Sequence, residues 1–387
     1  MQTLASLFRI PFRFPVALLL VVLLVFGGTA CRQNRDSETA AQGDGTSQIE
    51  NDLTFTNITL EQADEQGRKL WVVKAEQATY SQDKQLAEVL NPKGELFEAG
   101  QPIYQIQGQK GRVQQNGEQI SLLGQIIATD LRSGAVLQGD ELRWTPKDGL
   151  LVVRHNLRGT HPQVNASAQE ARLYQQDRRL ELLGGVTATT KGEQIVQLQA
   201  ETLTWLLDNG QIRSDRPVKF TRLINGAPTD TATGDRGEFF LKTKIATLSA
   251  NARVNLVNPP LQISSNLLTW NVPQQTLKAD QPVTLVERQQ QITLTASRGR
   301  LDLKTNTAYL DGNVRATGQR NNAQLTANAL TYNLSSRQMQ AEGQVTYRQS
   351  NPAFTVTGPR AVGNLATQQV TVSGGNVLTE IMPQAGR

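Results

Sequence analysis

Apolar and polar residues alternate along nearly the whole chain after position 50. In residues 198–220, Leu203, Trp205 and Leu207 are separated by single residues; a polar turn at 208–210 follows, and a second alternating run begins at Ile212. Alternation with a period of two is typical of β-strands that bury one face and leave the other in water. The pattern predicts antiparallel strands, and no helical stretch longer than a turn or two is predicted after residue 50.

The same pattern returns about every 31 residues, which is the signature of a repeat architecture. Each repeat has a central residue, usually large and apolar, and several have a valine thirteen positions later, as in Trp270 and Val283. Each repeat predicts two strands, so the body should hold about 20 strands. The ten central positions are Tyr80, Val113, Trp144, Leu173, Trp205, Phe239, Trp270, Leu301, Tyr332 and Gly363, the last being a degenerate terminal repeat.

Strands with one wet face exclude a parallel sheet covered by helices on both sides. The favoured fold is all-β: an elongated antiparallel β-jelly roll built from about ten two-strand repeats. A parallel β-helix is the alternative. The irregular stretch 221–237 lengthens one repeat and predicts a division into two jelly-roll domains, residues 51–225 and 226–380.

The N-terminus carries an export signal. Arg9 and Arg13 precede an uninterrupted apolar run at 16–26, and small residues lead to Cys31. This order predicts a signal peptide or membrane anchor over residues 1–31. Cys31 follows a sequence similar to a lipobox and is the predicted lipid attachment site; an uncleaved anchor and a released protein are the alternatives. Residues 32–50 are polar, without periodicity, and predict a flexible linker.

Composition excludes several kinds of chemistry. The 387 residues include one Cys and two His, which rules out an intrachain disulfide and a cysteine-rich zinc site. Acidic residues are scattered, and no nucleophile motif or phosphate-binding loop is present, so the predictions are no catalytic residue, no metal site and no cofactor. Lys and Arg number 39 against 34 Asp and Glu, a net charge of +5 that is too dilute to predict nucleic-acid binding.

The serial apolar positions predict either an apolar groove or a filled core. A groove would shield a lipid and needs no catalytic group. A filled core would suit a cell-envelope scaffold or adhesin. The predicted groove residues are Leu142, Trp144, Leu203, Trp205, Leu268, Trp270, Val283, Leu301, Leu330 and Tyr332.

Residues 55–92 resemble the beginning of the LptC family. The similarity lies in Gly67, the run from Leu70 to Ala75, and Ala78 followed by Tyr80, ending near Pro92. Later repeats are similar to OstA/LptA-type modules, and the length implies an additional jelly-roll segment. The resemblance implies a non-enzymatic component of lipopolysaccharide export, located in the periplasm and tethered to the inner membrane.

The same resemblance implies the partners. Lipopolysaccharide would be received from the inner-membrane ABC transporter and conveyed along an apolar β-groove to an LptA-like bridge protein. That protein would add a strand to an open edge of the sheet, either the first strand (53–60) or the last (368–378).

Overall fold

The computed structural model describes residues 53–83, 85–114, 118–193, 195–319, 322–350, 353–367 and 369–381. The predicted signal or anchor, Cys31 and the predicted linker lie outside the described residues. Asn51–Arg387 form one compact unit. No helix among the described residues is long and apolar enough to cross a membrane.

The described residues form 28 strands and one short 3-10 helix, Pro146–Asp148. The strands of the first half are β1 (Leu53–Ala63), β2 (Lys69–Tyr80), β3 (Leu86–Leu90), β4 (Lys93–Glu98), β5 (Gln101–Gln107), β6 (Lys110–Gln114), β7 (Ile120–Asp130), β8 (Val136–Thr145), β9 (Leu150–Thr160), β10 (Val164–Tyr174), β11 (Arg179–Thr190), β12 (Ile195–Leu206), β13 (Gln211–Ser214) and β14 (Val218–Ile224). Those of the second half are β15 (Ala227–Gly234), β16 (Arg236–Phe240), β17 (Ile245–Leu256), β18 (Leu261–Asn271), β19 (Thr276–Ala279), β20 (Val283–Glu287), β21 (Ile292–Ala296), β22 (Arg298–Asp302), β23 (Thr307–Gly318), β24 (Ala323–Asn333), β25 (Gln338–Ser350), β26 (Ala353–Asn364), β27 (Gln369–Ser373) and β28 (Leu378–Ile381).

All described strand pairs are antiparallel, and the strands belong to one hydrogen-bonded sheet. The predicted all-β antiparallel jelly roll is confirmed, and the parallel β-helix is wrong. Pairing continues through the predicted domain boundary, where β14 and β15 form a hairpin that turns at Asn225 and Gly226. The division into two jelly-roll domains, residues 51–225 and 226–380, stays a prediction.

A line of bends folds this sheet into two layers. In β23 the pairing register shifts between Asp311 and Val314, where Gly312 and Asn313 have φ values of 76° and 51°. A left-handed pair of this kind is a β-bulge that turns the strand, and glycine or asparagine tolerates it best. Equivalent pairs occur at 124–125, 184–185, 250–251 and 343–344. Elsewhere the bend separates two short strands, as between β19 and β20.

We call the two layers sheet 1 and sheet 2. Sheet 1 contains the halves of the passes that carry the repeat centres and the residues paired with them, such as Thr307–Asp311 of β23, where Ala308 pairs with Leu301 and Tyr332. Sheet 2 contains the other halves, such as Val314–Gly318. The layers pack face to face: the ring centroids of Phe239 in sheet 1 and Phe220 in sheet 2 are 6.1 Å apart. One apolar core lies between them.

The ten repeat centres lie in a single row across sheet 1. Trp205 is paired with Ile212, which is paired with Phe239, and the row continues in the same way in both directions. It begins at Tyr80 beside Ala87 and ends with Gly363 beside Val370. The predicted repeat of two strand passes is therefore confirmed at the level of register. Because several passes are interrupted at the bend, the described residues form 28 strands where about 20 were predicted.

Candidate functional site

The structure brings all ten predicted groove residues into the core. Nine lie in sheet 1 and point inward, while Val283 lies in sheet 2 at the bend. All are buried, with exposed fractions from 1% at Leu142 to 9% at Trp205. They line a continuous apolar layer and do not converge on one point, and whether they contact a lipid stays a prediction.

The valine of the repeat pattern packs against residues with little or no side chain. A Cβ on Gly299 in sheet 1 would lie 2.9 Å from Cγ1 of Val283, and one on Gly237 would lie 2.4 Å from Cγ1 of Val218. The two sheets therefore approach each other most closely near the bend. They are held further apart toward the hairpin turns, where the large repeat centres lie.

Two apolar cavities remain between the sheets. The first, about 130 Å³, lies toward the C-terminal end between Ala316 and Leu325 of sheet 2 and Met339 and Ala361 of sheet 1. None of the ten predicted residues lines this cavity. Its position was missed because alternation marks which residues point inward but not where their volumes leave space.

The second cavity, about 110 Å³, lies in the N-terminal half of the sheet. Leu137 and Leu157 of sheet 2 face Leu173, Leu180 and Trp205 of sheet 1 across it. Trp205 is the predicted groove residue that borders this cavity. A dry cavity of about 150 Å³ accommodates benzene, whereas ligand pockets usually measure about 300–1,000 Å³. The interior is therefore nearly full, and a long acyl chain requires the sheets to separate.

Two of the tryptophans carry unused donors inside the apolar layer. The indole Nε1 of Trp144 donates to Oε1 of Gln175 at 3.2 Å. The indole N–H groups of Trp205 and Trp270 are buried and have no hydrogen-bond partner among the described residues. Leaving a buried donor unpaired is costly, so each is a position where an acceptor on a ligand would be stabilised.

We call the borders of the two sheets that lie opposite the line of bends, near the hairpin turns, their margins. In the C-terminal part of the core the two margins are joined by a hydrogen bond. The hydroxyl of Tyr332 in sheet 1 donates to Oε2 of Glu287 in sheet 2, and both side chains are buried. Burial raises the pKa of the Tyr332 hydroxyl, and the bond to Glu287 raises it further. Sequence reasoning missed Glu287, although it continues the inward alternation of Val283 and Leu285 and is the one acid in that run.

A second contact joins the margins in the N-terminal half. His161, in the hairpin turn between β9 and β10, packs edge-on against Trp205 with ring centroids 4.9 Å apart. Burial lowers the pKa of His161 from its ordinary value of 6.5, the charge of Lys191 lowers it further, and Asp130 partly opposes this. The imidazole is therefore held neutral against the indole.

Many of the acidic residues in the described part of the chain are engaged in ion pairs. Glu170, for example, accepts hydrogen bonds from Arg154 at 2.6 Å and from Arg172. Burial alone would raise its pKa, but the two arginines lower it overall. In the described part of the chain, no three His, Cys, Asp or Glu side chains gather as a metal site.

These features define a two-layered β-jelly roll that encloses a continuous apolar interior and closes along one margin. The family model for LptC, described as lipopolysaccharide-assembly, LptC-related, matches residues 17–148, 151–256 and 286–380. The chain belongs to the LptC family, a family of non-enzymatic periplasmic transport proteins, and it takes part in lipopolysaccharide transport.

The remaining comparisons add little detail. One solved structure that resembles the chain is LptH, the LptA-homologous periplasmic component of the lipopolysaccharide transport device of Pseudomonas aeruginosa. The two share 14% identity; the match covers 31% of this chain and 84% of that chain, with a TM-score of 0.28. The comparison with curated proteins yields no match.

Proposed function

We propose that the protein conveys lipopolysaccharide from the inner-membrane ABC transporter toward the outer membrane, with the acyl chains between sheet 1 and sheet 2. The observation that carries this proposal is the uninterrupted row of repeat centres, from Tyr80 to Gly363, which gives the interior one apolar lining across the whole sheet. Acyl chains are driven into such a lining by the hydrophobic effect, while charged and sugar groups stay in water.

The unpaired indoles favour a lipid over a purely hydrocarbon filling. An ester or amide carbonyl at the head of an acyl chain accepts a hydrogen bond, and the N–H groups of Trp205 and Trp270 are two of the buried donors available for it among the described residues. On this proposal the carbonyls lie near the margin, and the chain ends point toward the bend.

Loading requires the margin to open. The second cavity borders the margin contact between His161 and Trp205, and at Tyr332 and Glu287 the margins are joined directly. Breaking these contacts leaves the close packing at the bend intact, since Val283 and Gly299 lie on the opposite side of the core. The two sheets therefore separate at their margins while they stay joined along the line of bends.

The ends of the sheet are the proposed docking edges for an LptA-like partner. In the described residues β1 pairs on one side with β2, and β27 and β28 both pair with β26. Leu53 and Phe55 are about half exposed at one end, and Leu378 is 70% exposed at the other. An added strand would cover these side chains and use the free backbone groups of the edge.

The membrane attachment completes the proposal. Residues 1–31 would hold the protein at the inner membrane, either through a lipid on Cys31 or as an uncleaved anchor, and residues 32–50 would give reach to the transporter. Mass spectrometry of the mature N-terminus distinguishes these forms. A diacylated Cys31 supports the lipoprotein, and an intact Met1 supports the anchor.

Site-specific photocrosslinking in cells tests the lipid path. A photoreactive residue replaces Trp144, Trp205 or Trp270, and the matched controls replace their outward-facing neighbours Arg143, Thr204 and Thr269. Lipopolysaccharide adducts at the tryptophan positions and none at the controls are expected. Adducts at neither set would contradict the proposal.

The alternative is a cell-envelope scaffold or adhesin with a permanently packed core. The small cavities, about 130 and 110 Å³, favour it over an open trough. It predicts that the purified protein carries no lipid and that incubation with lipopolysaccharide leaves hydrogen exchange at the margin unchanged. Faster exchange near Tyr332 and Glu287 on lipid addition would favour conveyance.

A further inference from the structure

The outward face of sheet 2 has a composition unlike the rest of the surface. Paired positions form a row that runs from Ile127 in β7 to Thr357 in β26, one residue per strand. We call it the threonine row: of its sixteen residues, nine are Thr or Ser, two are Gln and four are basic. The neighbouring outward row, from Thr129 to Thr355, is also rich in Thr, Asn and Gln.

Neither row contains an acidic residue, whereas the outward face of sheet 1 mixes both charges. There Glu170 pairs with Arg154 and Arg172, and Arg360 pairs with Glu342 at 3.0 Å. The charges of sheet 1 therefore partly neutralise each other, whereas the charged residues of these two rows of sheet 2 are all basic.

All four cations of the threonine row are exposed, and none is ion-paired among the described residues. They are Arg158, Lys219, Arg253 and Arg315, and none has a carboxylate within salt-bridge distance among the residues that the structure describes. With about 4.8 Å between strands, the steps between successive cations are about 19, 10 and 19 Å. Between them lie hydroxyl and amide groups that donate and accept hydrogen bonds.

Two shallow depressions follow the same row. One, about 520 Å³, is lined by Thr187, Gln199, Lys219 and Thr233, and Asp235 at its rim is engaged by Nδ2 of Asn251 at 2.6 Å. The other, about 370 Å³, lies where the row continues toward the N-terminus, at Lys74, Lys93 and Gln107. Glu95 also lines it and accepts a hydrogen bond from Nε2 of Gln105 at 3.4 Å. Both depressions have mixed polar and apolar linings and are more polar than the two cavities inside the core.

We propose that the outward face of sheet 2 binds an extended anionic polysaccharide along the threonine row. Sugar hydroxyls match the Thr, Gln and Asn side chains, and acidic groups spaced along a polymer match cations spaced by 10–19 Å, a spacing that follows from about 4.8 Å per strand. A membrane surface fits less well, because the cations are spread out rather than clustered and few apolar side chains project from this face. Many weak contacts along one polymer add up to useful affinity.

Binding of the full-length protein in non-ionic detergent to polygalacturonate tests this, with neutral dextran as the uncharged polymer. The variant R158Q/K219Q/R253Q/R315Q neutralises the threonine row. The matched control R213Q/R236Q/K147Q/K242Q removes four exposed cations that lie on sheet 1, its bend or its turns. Circular dichroism checks that both variants fold.

The expected result is salt-sensitive binding of polygalacturonate by the wild type and the control, and a loss of about tenfold or more in the row variant. Equal loss in both variants, or no binding to polygalacturonate, would overturn the proposal. The proposal would also be overturned by a preference for a membrane surface. In that case the protein binds vesicles with anionic lipid more strongly than neutral vesicles, and the row variant abolishes this preference but leaves binding to polygalacturonate unchanged. Lipid crosslinking at Trp205 is a separate readout, so this proposal and lipid conveyance fail independently.

Discussion

The hydroxyl of Tyr332 donates a hydrogen bond to the carboxylate of Glu287, 45 residues earlier in the chain, and thereby joins the margins of the two sheets. Both residues lie on inward rows whose other members are largely apolar, so the pair is a polar contact inside a dry layer. Buried bonds of this kind are stable only while both partners are present.

Removing the Tyr332 hydroxyl should loosen this margin. Y332F leaves the Glu287 carboxylate buried without its donor, at an expected cost of about 1–3 kcal/mol in the free energy of unfolding. Y309F, on the exposed outward face, should leave stability unchanged. Urea denaturation measures the cost, and hydrogen exchange should rise first in β20 and β24.

The double variant Y332F/E287L separates a latch from a general packing defect. Since it removes both polar partners, it should recover much of the stability lost in Y332F. Equal or greater destabilisation would show that the hydrogen bond is not what the margin depends on.

Acidification should weaken the N-terminal margin through His161. Its pKa is lowered below 6.5 in the folded protein, so between these values the unfolded chain binds more protons. The free energy of unfolding therefore falls as the pH drops from about 6.5 through the lowered pKa, and it is fully retained above 6.5.

Denaturation midpoints across this pH range measure the effect, and NMR titration of the two imidazoles gives the pKa directly. H161F should lose this part of the pH dependence. H155Q should retain it, because His155 is exposed at the bend of β9 and does not contact Trp205. A profile unchanged in H161F would refute the assignment.

The close approach of the sheets at the bend predicts a paired substitution. In G299A the new methyl would lie 2.9 Å from Val283 and 3.1 Å from Leu310, and overpacking of this kind costs about 1–3 kcal/mol. G299A/V283A should recover most of it. G318A is the control: no atom lies within 4 Å of its Cβ position, so its thermal midpoint should not fall.

Much of this architecture could be predicted because alternation and turn signals are local properties. The repeat centres from Tyr80 to Gly363 fall into one row, since alternation and the turns between strands fix the register. The same alternation contains the clue to Glu287, an acid at an inward position. It also contains the threonine row, which appears once the outward positions of sheet 2 are read by themselves.

The cavities and margin contacts could not be predicted in this way. They depend on which side chains from two sheets meet, and His161 reaches Trp205 from a hairpin turn 44 positions away in sequence. The irregular stretch 221–237 includes the hairpin between β14 and β15, which holds a buried ion pair between Arg222 and Asp230. Sequence spacing shows that this repeat is longer but does not show that its hairpin buries charge.

Breaking this ion pair is expected to lower the free energy of unfolding more than any of the substitutions above. Asp230 is 2% exposed, pairs with Arg222 and accepts a hydrogen bond from the backbone N–H of Val257 at 3.0 Å. R222M would leave a buried carboxylate without its cation, at an expected cost of about 3–5 kcal/mol. R213M removes an exposed arginine on sheet 1 and should change the free energy of unfolding little.

The double variant R222M/D230L replaces both charges with apolar groups, so its stability in urea denaturation should be close to that of the wild type. If R222M alone is as stable as R213M, then the hairpin from β14 to β15 is held by its backbone ladder and not by the pair.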